Sequence, residues 1–336
     1  MSRLFQQTVH FFLSYRCGVR DTMLVIEPLI LQRFDQPPIA KLFKIYYHNG
    51  KAKICVLRGN LMIELLKAVL FGIVEGVTEW LPVSSTGHLI LLDELVALNV
   101  SEEFKSMFDV VIQLGAILAV VVLFFHKLNP FCPSKSSQEK KDTWQLWAKV
   151  VVSIIPSGLV GVLFDDWMDA NLHTSTVVAA MLILYGVAFI LVERMYHGRH
   201  LAIQDVNQMD YRTAIGIGLF QCLSLIPGTS RSGSTILGGI FLGASRSAAA
   251  EFSFFMAIPT MLGASGIKLL KFFLTGVGFA GGELAVLLIG CAVSFLVSLL
   301  VIRGLMSYVR NHSFAVFGVY RIVLGVIVLA YFALVK

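Results

Sequence analysis

Charge is scarce in this 336-residue chain: 14% of residues are Asp, Glu, Lys or Arg, against 57% hydrophobic ones. With a mean hydropathy of +0.78, such a chain cannot hide its apolar surface inside a water-soluble domain, which points to an integral membrane protein. Cysteine is also sparse. Cys17, Cys55, Cys132, Cys222 and Cys291 are odd in number, scattered and never in a Cys-x-x-Cys pair, so neither a disulfide framework nor a zinc site is expected. The long apolar windows, such as 108–125 and 284–302, do not alternate apolar and polar residues as the strands of a membrane barrel do. There is no aromatic-basic pattern for nucleic acid, so no such partner is expected. The first residues, Met1-Ser-Arg-Leu-Phe-Gln-Gln, lack a long apolar core followed by a small-residue cleavage site, so a secretory signal peptide is not expected.

The charge that is present sits unevenly. Residues 1–60 hold nine Lys or Arg against three Asp or Glu, whereas residues 61–336 hold eighteen of each sign. The net charge of +6 therefore belongs to a basic extension over residues 1–61, and the membrane body, residues 62–336, is neutral. This extension mixes Pro37-Pro38 and Asn49-Gly50 with short apolar runs, and amphipathic character begins abruptly at Met62. Two readings follow: an appendage lying on anionic headgroups, or residues preceding a physiological start at Met62.

From Met62 the sequence predicts an all-α, polytopic membrane fold, with helical pieces near 62–81, 86–98, 106–127, 145–165, 175–195, 211–225, 232–243, 249–274, 283–308 and 314–335. Several approach the roughly 20 residues that a helix needs to cross about 30 Å of hydrocarbon. Two places are broken, Pro82 to Gly87 and Pro227 to Gly233, by Pro, Gly and hydroxyl residues, and the helices flanking them are short. Non-helical backbone at membrane depth persists only where protein or water satisfies its polar groups. Aligning Pro82 with Pro227 sets Leu81-Pro82-Val-Ser84-Ser85-Thr86-Gly87 beside Ile226-Pro227-Gly-Thr229-Ser230-Arg231-Ser232. Paired interruptions in two halves point to a site between repeats near the midplane. The expectation is two re-entrant helix-loop-helix hairpins in an inverted repeat, with their tips meeting. Residues 127–142 and 196–210 read as polar connections, and their basic residues suggest a cytoplasmic face.

The first break carries Glu75, Glu79, Ser84, Ser85, Thr86 and His88. Four residues apart on a helix, Glu75 and Glu79 share a face. Like charges in an apolar setting call for a cation, an arginine or a shared proton, and a divalent metal fits. Ser84, Ser85 and Thr86 stand where a helix begins, as caps or around an anion. Ser85 beside His88 is a candidate nucleophile and base. The second break, Pro227-Gly-Thr229-Ser230-Arg231-Ser232-Gly-Ser-Thr235, joins five hydroxyls to one guanidinium. It can cradle a phosphate bidentately, or Arg231 can simply neutralise Glu79 or Glu75. It is no Walker A loop, because the Gly-Lys-Ser/Thr ending is missing. Gln113 and Gln221 either line the same cavity or bridge helices. Arg246, Glu251 and Arg321 read as residues near helix ends that pair or snorkel, and Trp80 reads as packing.

Together, Val74-Glu75-Gly-Val-Thr-Glu79-Trp-Leu-Pro82-Val-Ser84-Ser85-Thr-Gly87-His88 and Pro227-Gly-Thr-Ser230-Arg231-Ser-Gly-Ser-Thr235 resemble the two signature regions of the undecaprenyl-diphosphate phosphatases of the BacA/UppP family. The resemblance covers Met62 to the C-terminus and leaves residues 1–61 without a counterpart. It implies hydrolysis of the C55 lipid carrier diphosphate to its monophosphate and inorganic phosphate at the outer face of the bacterial plasma membrane. That reaction recycles the carrier for peptidoglycan and is linked to bacitracin resistance. A divalent cation, Mg²⁺ or Ca²⁺, is implied, with Glu75 and Glu79 in the acidic motif. Ser84, Ser85 and His88 fall in the catalytic turn, and Ser230, Arg231 and Thr235 in the phosphate-binding motif. On this reading Ser85 attacks phosphorus with His88 as base, although His88 itself or water are alternative nucleophiles. Thr86, Ser232 and Gln221 are further substrate-contact candidates. The rival class is a secondary transporter or lipid flippase with an anion site between its repeats. Prenyl chain length and homo-oligomer formation are not legible in the sequence.

Overall fold

The computed structural model describes residues 43–48, 51–56, 59–172, 174–196, 198–199, 201–276 and 278–335. The chain divides into two units, residues 1–66 and 67–336. Most of the basic extension read over residues 1–61 lies outside the described residues. Within the first unit, β1 (Phe43–His48) pairs antiparallel with β2 (Lys51–Val56), in the register Phe43 opposite Val56.

The rest is helical, as the sequence predicts: α1 (Gly59–Thr78), α2 (Ser85–Leu95), α3 (Glu102–Val111), α4 (Gln113–Leu123), α5 (Phe125–Leu128), α6 (Ser137–Leu172), α7 (Ser175–Tyr196), α8 (Tyr211–Cys222), α9 (Arg231–Phe241), α10 (Arg246–Leu274), α11 (Glu283–Asn311) and α12 (Ala315–Val335). Among the described residues six helical segments are long and apolar enough to cross a membrane: 102–123, 137–164, 175–196, 246–274, 283–311 and 315–334. By contrast α2 and α9, with 11 residues each, reach only about 16 Å and fall well short of a crossing.

Some boundaries differ from the sequence reading. The piece expected at 145–165 is extended at both ends, from Ser137 to Leu172. The connection expected over 127–142 gives way to helix at Ser137, because Ser136 and Glu139 form a capping box. The Ser136 amide donates to Glu139 Oε2 (2.7 Å) and the Glu139 amide to Ser136 Oγ (3.2 Å), so two helix-end donors are satisfied at once. The piece expected at 106–127 begins earlier, at Glu102 behind the cap Ser101, and is divided into α3, α4 and α5. Pro156 and Pro259 stay inside α6 and α10, as predicted.

Helix association in lipid depends on close packing, because the tails are as apolar as the side chains. Where α7 meets α12, Gly186 faces Gly318, and a Cβ on either would lie 2.6 Å from the other's carbonyl oxygen. Leucines at 284, 288, 296 and 300 of α11 and valines at 316, 319, 323 and 326 of α12 stay exposed, as lipid-facing surfaces do. The buried core gathers Trp80, Phe189, Phe252, Phe254 and Phe255 with Ile236 and Ile240 of α9, while Ile90 and Leu91 of α2 pack against a smaller cluster of Val178, Ala179, Leu182, Leu324 and Val328. Ser84, Ser85, Thr229, Ser232, Ser234 and Thr235 of the two breaks are buried.

Candidate active site

Two turns with the same local geometry begin α2 and α9. Ser84 (φ 72°, ψ 98°) and Ser230 (φ 72°, ψ 124°) are N-caps whose hydroxyls accept from the amides of Gly87 (3.3 Å) and Gly233 (3.1 Å). Among the described residues they are the only non-glycine residues at positive φ. Such a conformation costs on the order of 1–3 kcal/mol each and is kept where surroundings enforce it, often at functional sites. The equivalence of Ser84 with Ser230 corrects the alignment on proline by one residue. Ser85 therefore matches Arg231, and Gly87 matches Gly233. The second turn has one more residue between proline and cap, supplied by Gly228 at φ 89°. Its missing Cβ leaves room for the Val178 backbone.

Cross-bonds tie the turns together. Ser232 Oγ donates to the carbonyl oxygens of Glu79 (3.0 Å) and Leu81 (3.3 Å). Arg321, fully buried at 0% exposure, donates to the carbonyls of Pro82 (3.1 Å), Gly228 (2.9 Å) and Thr229 (2.8 Å), and its guanidinium lies 5.4 Å from the Tyr185 ring centre. The expectation of a residue near a helix end that pairs or snorkels is thus wrong for Arg321. Sitting on the inner face of α12, it meets carbonyl groups that only a multivalent donor can satisfy.

At the junction stands the pair that the motifs suggested. Arg231 Nη2 lies 2.8 Å from Glu79 Oε1, and Ser85 Oγ donates to Glu79 Oε2 at 2.8 Å. Arg231 Nη1 donates to the Ser253 carbonyl (2.8 Å), and the guanidinium lies 5.6 Å from the centre of the Trp80 ring. Thr235 Oγ1 donates to the Arg231 carbonyl at 2.9 Å and shares a 2.6 Å contact with Ser253 Oγ. Ser253 of α10 joins the cluster without belonging to either turn. Glu75 is buried beside Glu79 and Asp109.

Other candidates fall elsewhere. His88 does not bond Ser85: its Nδ1 is 2.7 Å from the Ser84 carbonyl oxygen and its Nε2 2.7 Å from the Tyr320 hydroxyl. The predicted serine–imidazole pair is therefore replaced by a serine–carboxylate pair, because Glu79 takes the Ser85 hydroxyl while the Ser84 carbonyl and Tyr320 hydroxyl engage both ring nitrogens of His88. Gln221 bridges helices, with Nε2 2.6 Å from Ser157 Oγ and 3.3 Å from Thr260 Oγ1. Thr86 is exposed. Arg246 pairs with Glu193 and Glu251 with Lys127, as read for residues near helix ends.

Several buried polar atoms find no hydrogen-bond partner within the protein. Arg231 Nε, Trp80 Nε1 and Thr229 Oγ1 are unpaired donors, and both oxygens of Glu75 are unpaired acceptors. Buried polar groups are rarely left so. Donors of this kind suit an anion, and a carboxylate with two open oxygens suits a cation. No group of three or more His, Cys, Asp or Glu that could hold a metal is found among the described residues, so a cation held by Glu75 and Glu79 would need oxygens from the anion itself. Mg²⁺ is commonly bound this way, by one or two carboxylates plus substrate phosphates.

Fold and site define a polytopic membrane protein whose centre, built from two helix-initiating turns, combines unpaired buried donors with two neighbouring carboxylates. Residues 68–327 match the family described as bacitracin resistance protein BacA, and the chain belongs to that family. Its relatives include the undecaprenyl-diphosphatase of Enterococcus faecalis, 59% identical over 269 residues that cover 80% of this chain and 96% of that protein. The undecaprenyl-diphosphatase of Streptococcus thermophilus (strain ATCC BAA-250 / LMG 18311) is 56% identical over 279 residues, covering 83% and 97%. Undecaprenyl-diphosphatase 1 of Clostridioides difficile (strain 630) is 56% identical over 273 residues, covering 81% and 98%. The resemblance read from the two motifs is borne out.

Proposed function

We propose that this protein hydrolyses undecaprenyl diphosphate to undecaprenyl phosphate and inorganic phosphate, recycling the carrier for cell-wall synthesis and lowering sensitivity to bacitracin. The observation that carries the reading is the Arg231–Glu79–Ser85 chain of contacts between two helix N-termini, in a chain 56–59% identical to proteins named undecaprenyl-diphosphatase. Helix N-termini favour phosphate through free amides and the positive end of the dipole. The guanidinium adds a bidentate donor.

In the proposed reaction the Ser85 oxygen attacks the terminal phosphorus, and the bond from that phosphorus to the bridging oxygen breaks, freeing the polyprenyl monophosphate. The Ser85 proton passes to Glu79 Oε2, which already accepts its hydrogen bond. Water then cleaves the phosphoserine to release phosphate. Arg231 and the Thr229 and Trp80 donors hold the phosphate oxygens, so catalysis consists mainly of positioning and charge stabilisation. Glu75 and Glu79 would hold Mg²⁺ or Ca²⁺, which when bound neutralises phosphate charge. The short α2 and α9 support a re-entrant reading, with the site opening toward the outer face of the bacterial plasma membrane.

Phosphate release by purified protein in detergent tests the reading, since hydrolysis needs no compartments. A transporter or flippase would be silent in detergent and active only across a vesicle membrane. Acid quenching of a reaction with terminally ³²P-labelled diphosphate should leave label on residue 85; label on His88 would overturn the nucleophile assignment.

A further inference from the structure

His88 has a partner that neither signature motif contains. Its Nε2 lies 2.7 Å from the hydroxyl of Tyr320, 232 residues along the chain, and the two rings stack with centres 5.6 Å apart and planes 3° apart. Its Nδ1 lies 2.7 Å from the Ser84 carbonyl oxygen. A carbonyl only accepts, so Nδ1 carries the proton and, in the neutral ring, Nε2 holds the lone pair. The Tyr320 O–H must then be the donor to Nε2. With Ser85 turned to Glu79, the one basic nitrogen of the imidazole is engaged by Tyr320. The formal charge bearing on the ring is that of Arg321, on the residue next to Tyr320; Tyr320 itself is 47% exposed.

We infer that Tyr320 is a positioning residue of the phosphatase site, holding the His88 ring with Nε2 ready to accept a proton and then stabilising the proton once it has arrived. The inference rests on the hydrolase reading above. In the water step, an O–H bond of the attacking water breaks as its oxygen bonds to phosphorus. That proton goes to Nε2 and later leaves to solvent, while the bond from phosphorus to Ser85 Oγ breaks and Ser85 Oγ takes back the proton that Glu79 Oε2 received in the first step. Tyr320 keeps its own proton throughout, and its hydroxyl rotates from donor to acceptor. Beside the positive Arg321 guanidinium, an imidazolium with no acceptor facing Nε2 would be poorly stabilised. The tyrosine oxygen supplies that acceptor.

The test is Tyr320→Phe in the full chain, which keeps the stacked ring and removes only the hydroxyl. Turnover should fall about tenfold with KM changed less than about twofold, the signature of an interaction needed for the step rather than for binding. Adding Tyr320→Phe to His88→Ala should cost nothing further, because the hydroxyl acts through the imidazole. In protein labelled with ¹⁵N-histidine, the Nε2 resonance of His88 should move in Tyr320→Phe, a readout that needs no turnover. Full activity in Tyr320→Phe, an equal further loss in the His88→Ala background, or an unmoved resonance overturns the inference. A wild-type protein inert toward polyprenyl diphosphate overturns the hydrolase reading, and this inference with it.

Discussion

Replacing Arg321 by Met keeps much of the side chain's volume and removes every donor. Three hydrogen bonds are lost, to the carbonyls of Pro82, Gly228 and Thr229 at 2.8 to 3.1 Å. Bonds from a charged donor contribute about 1.5–3 kcal/mol each, but removing the guanidinium also relieves its own burial. Among the described residues no carboxylate forms an ion pair with it. The balance is a net loss of about 3–5 kcal/mol, as for other buried charges whose bonded partners are left unsatisfied. Spread over a domain of this size, that lowers the melting temperature by on the order of 10 °C. Because the three carbonyls belong to both turns, the geometry between Ser84 and Ser230 should loosen, and phosphate release should fall at least roughly a hundredfold. Arg321→Lys keeps the charge, but a single ammonium lacks the fork that reaches both turns, so less than half of the stability should return. The assay is thermal unfolding in detergent followed by tryptophan fluorescence, beside phosphate release from the same preparations. An Arg321→Met protein that melts within about 2 °C of wild type would refute the reasoning.

Three further outcomes are expected. Gly228→Ala puts a Cβ against the Val178 backbone at a φ of 89° and should cost roughly 3 kcal/mol or more, read as a melting shift; an unchanged midpoint would contradict the packing. Glu75→Gln removes a buried carboxyl group whose oxygens accept no hydrogen bond. The metal-free protein should gain about 1–2 kcal/mol of stability while turnover and its response to added Mg²⁺ collapse, a trade of activity for stability. Glu75→Gln turnover that remains Mg²⁺-dependent and near wild type would remove Glu75 from the cation site. Arg246→Ala strands the buried Glu193 carboxylate, whose remaining bond is from the Phe314 amide. With Arg246 partly exposed, the expected cost is about 2 kcal/mol without loss of turnover in the protein that remains folded.

The site was legible to the extent that its residues are out of place. Glu79, Ser85 and Arg231 interrupt apolar sequence, and burial forces such groups together; their contact spans 152 residues, yet the chemistry of each predicted a partner. Arg321 and Tyr320 gave no such signal. They lie early in an apolar helix, where an arginine and a tyrosine commonly sit at a membrane boundary, and only the packing of α7 against α12 turns Arg321 inward. Register was lost for a local reason: proline marks both breaks, but the caps follow it at different distances. Pro156 and Pro259, by contrast, are carried inside long helices. The start of α6 was readable, since Ser136 and Glu139 have capping-box spacing, but the density of lysine, serine and proline around them reads as a loop.

The central claim is that two turns far apart in sequence make one catalytic constellation. Phosphate release from undecaprenyl diphosphate by wild type, Glu79→Ala, Arg231→Ala and the double variant tests it most directly. Residues acting as a unit should each cost on the order of a thousandfold, with the double variant no worse than the poorer single one. Losses that multiply, or turnover retained in either single variant, would contradict it.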